Sequence, residues 1–127
     1  MNISKFTQKS VQAVQDLEKV AYEYGNQEVE QEHLLYALLT QEDSLILKLI
    51  EKMEINKDYF INTVKKALDA KVKVSGGDLR FGQYLNKSLV NAENEAKAMG
   101  DEYVSVEHLF LSLLTQPSPS MKKISNE

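Results

Sequence analysis

Apolar residues along this chain recur at three- and four-residue steps in six stretches, each bounded by residues that start or stop helices. In the first, Val14, Leu17, Ala21 and Tyr24 share a face while Gln12, Gln15, Glu18 and Lys19 fall elsewhere, which predicts a helix over 7–24. Thr7 is placed to cap it by accepting a first-turn N–H, and Gly25 can take the left-handed conformation that closes it. A second helix, 31–40, carries Leu34, Leu35, Leu38 and Leu39 as a broad core stripe, each residue contributing roughly 1.5–3 kcal/mol if fully buried. The third, 44–53, points Leu45, Leu49, Ile50 and Met53 inward. The fourth starts after Asn56, a good N-cap, and uses Phe60, Ile61, Val64 and Leu68 up to about residue 70. Periodicity then stops, and Ser75-Gly76-Gly77-Asp78 reads as a connector. Helix five, 83–99, shows Leu85, Leu89, Ala92, Ala96 and Met99 before Gly100. Helix six follows Ser105 and presents Leu109, Phe110, Leu113 and Leu114.

These stretches are copies of one another. The segment from Val29 to Gln41 returns from Val104 to Gln116 at a constant offset, 75 positions from His33 to His108, and the same offset pairs Phe6 with Phe81, Ala21 with Ala96 and Gly25 with Gly100. Register held across two helical patterns marks a tandem duplication. The expected fold is all-α, with two pseudo-twofold-related helical repeats of up to four helices each sharing one core. Repeat one covers 5–70, a linker 71–80, and repeat two 81–127. In the second repeat Pro117-Ser118-Pro119-Ser120 leads into Met121 to Ile124, which match the start of helix three, and no counterpart of helix four follows. The chain therefore reads as a fragment of a longer protein, in which Met121 and Ile124 are expected to be frayed or packed on a neighbouring molecule.

At 127 residues and 43% hydrophobic, the chain suits one domain with one sizeable core. It contains no Cys, which removes disulfides and thiolate metal sites and agrees with a reducing compartment. No leader pattern opens the sequence and no apolar run nears the roughly 18 residues that span a bilayer, so a cytoplasmic location without membrane contact is expected. Net charge is −4 with the basic residues scattered, against the basic face that nucleic acid needs.

Catalytic signatures are missing: there is no nucleophile elbow, no zinc-binding HExxH and no phosphate loop, and Gly76-Gly77 reads as linker. His33 and His108 stand at equivalent helix positions beside Glu32 and Glu107, but each has a single adjacent carboxylate projecting elsewhere around the helix. A partly buried His bonded to a nearby carbonyl is expected there, and no metal. Glu32 and Glu107 complement the dipoles of helices two and six. Together with Glu28, Asp101 and Glu102 they are also expected to form an acidic rim able to pair with Lys or Arg of a bound segment. Leu89, Val90, Leu109 and Phe110 follow the core pattern, yet the stripes are wide for such short helices, so some are expected half-buried along a groove.

A helix ending in Gly, a short polar turn with Val, then Glu-His-Leu and a Leu-Leu or equivalent pair, given twice, resembles the Clp N-terminal domain that precedes the ATPase modules of Clp/Hsp100 unfoldases. The likeness runs from Phe6 to Ile124. Ile3-Ser4-Lys5-Phe6-Thr7, Gly76-Gly77-Asp78 and Gly100-Asp101-Glu102-Tyr103-Val104-Ser105 look most like the ClpB-type disaggregases. ClpC-type domains usually carry Gly-Thr-Glu-His in both repeats and engage phosphoarginine and adaptors there. This chain has Glu30-Gln31-Glu32-His33 and Ser105-Val106-Glu107-His108, without the threonines. The ClpB resemblance implies a mobile, non-catalytic domain that captures unfolded or aggregated polypeptide in a shallow apolar groove for a homohexameric ATPase cooperating with an Hsp70-type system. It implies no cofactor for this domain, with ATP and magnesium used elsewhere in the full-length protein. By position, Thr7, Asp101 and Glu107 match the family's substrate-handling polar residues and Leu89 and Leu109 its apolar floor, beside Phe110, while Asn91 replaces one apolar groove position. The alternative is an adaptor- or phosphoarginine-binding domain of a ClpC-type unfoldase.

Overall fold

The computed structural model describes residues 3–125. In chain order it contains α1 (Gln8–Glu23), β1 (Glu28–Val29), α2 (Gln31–Leu39), α3 (Leu45–Lys52), α4 (Lys57–Asp69), β2 (Arg80–Phe81), α5 (Gln83–Ala98), α6 (Val106–Thr115) and α7 (Pro119–Ser125). The helix punctuation follows from the sequence. Thr7 accepts the N–H of Ser10 at the start of α1 and Asn56 that of Tyr59 at the start of α4, while Gly25 and Gly100 close α1 and α5 at φ 69° and 73°.

The duplication is visible in the way the repeats join. β1 and β2 pair in parallel, with Val29 opposite Phe81, and an isolated parallel bridge sets Phe6 opposite Val104. Under the offset these two bridges exchange into one another. The N–H of Thr7 bonds the carbonyl of Val104 at 3.0 Å and that of Gly82 the carbonyl of Val29 at 2.8 Å. Each repeat thus lends the lead-in to its first helix to the other repeat. Between the two junctions lies a single hydrophobic cluster that includes Leu17, Leu34, Leu38, Ile46, Leu68, Leu85, Leu109 and Leu113.

Three features differ from the sequence reading. In α3 the inward pair is Ile46 and Ile50; Leu45 and Met53 are exposed and Leu49 is half-buried, because the Leu45-Leu49-Met53 row sits on the flank of the helix. In repeat two, Met99 at the end of α5 is also exposed. The residues expected to fray are instead core: Met121 and Ile124 are 1% and 3% exposed, in α7, which packs on α4 of repeat one. Side chains of α2 anchor that segment. Gln31 Oε1 accepts the N–H of Ser118, and Glu32 accepts the Ser120 hydroxyl at 2.6 Å.

Candidate functional site

The start of α2 and the start of α6 are built on the same device. His33 and His108, at the third position of their helices, turn back so that Nδ1 accepts the backbone N–H of the N-cap residue, Glu30 or Ser105, each at 2.9 Å. Nε2–H then points away and donates, to the side-chain oxygen of Asn26 at 3.0 Å in repeat one and to Asp101 at 2.9 Å in repeat two. The expected partner, a nearby carbonyl, is present in repeat one as the side-chain amide carbonyl of Asn26, whereas in repeat two the partner is the Asp101 carboxylate. Burial, with the Lys71 ammonium nearby, lowers the His33 pKa from 6.5 to about 4, so His33 is neutral.

The three polar candidates stand at or next to the Phe6–Val104 junction. Thr7, capping α1, is tied to Val104; Asp101 precedes Val104 in the same turn and is held by His108; Glu107 follows in the first turn of α6. Asp101 and Glu107 are exposed and Thr7 is half-buried. Glu102 is also at this edge and pairs with Lys5 at 3.8 Å across two exposed side chains, an attraction of about 0–1 kcal/mol in water. An acidic edge results, with Asp101 oriented and Glu107 open.

The apolar candidates lie on α5 and α6. Leu89, Leu109 and Phe110 are 2%, 0% and 8% exposed, so they are core where α5 packs on α6 and not an open floor. Side chains one step around those helices reach solvent instead: Val90 is 59% exposed and Leu114 41%. They flank a hydrogen bond from the Asn91 amide to Gln116 that ties α5 to the end of α6. Asn91 therefore links the two helices. Sequence reasoning passed over Leu114 as core and missed Gln31 altogether. The buried amide of Gln31 donates to Ser88 in α5 and to the carbonyl of Gln116, while its oxygen takes the Ser118 N–H. Its repeat counterpart is Val106, and that break in the duplication was the available signal.

The second junction is neutralised. Glu32, expected on the acidic rim, is 0% exposed. The Lys71 ammonium lies 3.0 Å from Glu32 and 2.9 Å from Glu30, with Lys71 side-chain exposure of 13%. Burial pulls the Lys71 pKa down, but the Glu32 and Glu30 carboxylates outweigh it and the net shift is upward from 10.5. Glu28 belongs to this junction too and pairs with Arg80 at 3.7 Å. Asn26 stands here where the acidic edge has Asp101, and Gly82 where it has Thr7. The linker that supplies Lys71 is fastened by the Asn26 amide to Val72, by Val74 to Gly25, and by the Lys73 ammonium to Tyr24. Among the described residues no group of His, Asp and Glu is arranged to hold a metal ion, and no helix is long and apolar enough to cross a membrane.

Comparison with known proteins agrees with this architecture. The profile of the family described as the Clp repeat (R) N-terminal domain matches residues 5–127. The chain is 38% identical to the chaperone protein ClpB of Nitratidesulfovibrio vulgaris over all of its length, and 40% identical to that of Clostridium tetani over 98% of it. It spans about 15% of the length of each of those proteins. In fold it is similar to the Hsp104 N-terminal domain from Candida albicans, with a TM-score of 0.85 at 21% identity over 97% of this chain and 81% of that one. It is also similar to the N-terminal domain of ClpD from Arabidopsis thaliana, at 0.74 and 20% over 98% and 87%.

Proposed function

The chain belongs to the Clp N-terminal domain family, and from that premise we propose that it is the substrate-capturing, non-catalytic domain of a ClpB-type disaggregase. The observation that carries this reading is that the second repeat exposes both apolar side chains, Val90 and Leu114, and carboxylates, Asp101 and Glu107, within a chain whose whole length is similar to the N-terminal 15% or so of ClpB proteins. Unfolded segments expose apolar side chains among basic and polar ones. Val90 and Leu114 supply apolar contact, with Leu89, Leu109 and Phe110 as the rigid layer behind them, and Thr7, Asp101 and Glu107 receive flanking Lys or Arg. Each contact is weak; several copies on a hexamer, working in the cytoplasm beside an Hsp70-type system, raise the effective concentration enough for capture. Hydrolysis of ATP with magnesium takes place in ATPase modules outside this domain.

A ClpC-type reading, in which both repeats receive phosphoarginine or adaptors, is opposed by the first repeat. Its Glu32 carboxylate is buried and already committed to Lys71 and Ser120, which leaves no opening for a guanidinium. Two fluorescent ligands distinguish these readings: a permanently unfolded model protein and a phosphoarginine peptide. Saturable binding of the first, weakened by Val90→Ser with Leu114→Ser, supports capture; tighter binding of the second, lost in Glu32→Ala, would replace it.

A further inference from the structure

A cleft of about 820 Å³ opens between α4 and α7, away from the acidic edge and formed jointly by the two repeats. Its apolar lining is the half-buried Ala67, the exposed Ala70 and the buried Ile124. Its rim carries three lysines, Lys65 and Lys66 from α4 and Lys123 from α7, and none of the three has an ion-pair partner among the described residues. The charges deeper in the cleft cancel, since Lys71 there is bonded to Glu32. Asp69 is the remaining acid on the rim. The cleft is thus cationic on a chain whose net charge is −4, and its sign is opposite to that of the Asp101–Glu107 edge. Its volume falls within the roughly 300–1,000 Å³ typical of ligand sites.

We propose that this cleft is a second docking site, for an acidic peptide segment that seats one apolar side chain over Ala67, Ala70 and Ile124 and sets carboxylates against Lys65, Lys66 and Lys123. The proposal is independent of capture at the acidic edge. Charge sign selects the occupant: a basic segment would face three uncompensated ammonium groups, whereas an acidic one gains attraction on both walls at once. The joint origin of the walls gives the site a mechanical consequence, because a peptide bridging Lys66 and Lys123 fastens α7 of repeat two to α4 of repeat one.

The test uses the folded chain and a labelled, end-blocked peptide of eight residues, six Glu or Asp with one Leu and one Phe, followed by fluorescence anisotropy. Saturable binding is expected, weakening with salt. Lys66→Glu with Lys123→Glu should reduce affinity about tenfold or more, and Lys19→Glu, an equal charge change per site on α1, by less than about twofold. Ala70→Trp, which fills the cleft without changing charge, should also weaken binding. Thermal melts confirm that each variant is folded. No binding at millimolar chain, equal losses in the Lys19 and Lys66/Lys123 variants, or equal affinity for a lysine version of the peptide would each overturn the proposal. So would a chain that self-associates through this face in the absence of peptide.

Discussion

Lys71→Met removes one ammonium group from the linker and keeps most of its stem. The consequence follows from unequal exposure at the ends of the bridge: the Glu32 side chain is 1% exposed and that of Glu30 36%. Glu30 can regain water when its partner is lost, but Glu32 cannot. Its Oε2 keeps the Ser120 hydroxyl, while its Oε1 already lacks a hydrogen-bond partner. Stranding a buried carboxylate in this way costs about 3–5 kcal/mol. A chain of this size loses roughly 4 °C of melting temperature per kcal/mol, so the midpoint should fall by about 12–20 °C. Adding Glu32→Gln to Lys71→Met removes the stranded charge and should bring stability back to within about 1 kcal/mol of the starting chain, since apolar or neutral replacement of a whole buried pair is often close to neutral. Urea unfolding followed by circular dichroism, with the slope compared among the variants, gives both numbers. A loss below about 1 kcal/mol in the single variant, the size of a surface bridge, would refute the argument, as would failure of Glu32→Gln to rescue it.

Acidification provides a second check. The folded-state pKa of His33 lies below the unfolded value, so its contribution is complete above pH 6.5 and is lost as pH falls toward 4, by about 3 kcal/mol in all. An NMR titration should show the His33 imidazole still neutral at pH 5; conversion to imidazolium near pH 6.5 would contradict it. Lys71 has the opposite sign: its raised pKa means that its stabilisation holds below pH 10.5 and is lost as pH rises through the folded value, which a melting-temperature series in alkaline buffers will detect. Met121→Ala, in the segment that the sequence suggested was loose, should cost about 2–5 kcal/mol by cavity formation; a cost near zero would return that segment to the surface. Glu107→Ala should weaken binding of basic peptides at low salt and leave the melting temperature nearly unchanged, because its charge is solvated and screened over about 10 Å at 0.1 M.

The helices, the duplication and most of the core were legible because each has a local signature. Leu34, Leu38, Leu85 and Leu113 recur with the helical period, Thr7 and Asn56 sit where caps belong, and His33 and His108 mark the offset. What was illegible depended on contacts across the chain. Nothing near Glu32 announces that a linker lysine 39 positions later will bury it, and the shared motif predicted a rim at both junctions. Similarly, the α3 face was misread because Leu45, Ile46, Leu49 and Ile50 make two overlapping stripes, and packing against α2 and α6 decides between them. The α5–α6 pair shows the same ambiguity: Leu89 and Val90 are adjacent and both apolar, and the packing of α5 on α6 buries one while the other stays exposed. Met121 and Ile124 looked uncovered for want of a following helix in their own repeat, whereas α4 of the other repeat covers them.

Amide chemical-shift mapping of the folded chain with a permanently unfolded model protein, such as reduced and alkylated α-lactalbumin, tests the central claim most directly. Perturbations should concentrate on Thr7, Val90, Asp101, Glu107 and Leu114, and Val90→Ser with Leu114→Ser should abolish them while the melting temperature holds. Perturbations confined to α3, or undiminished in that folded variant, would show that unfolded polypeptide is not captured on the second repeat.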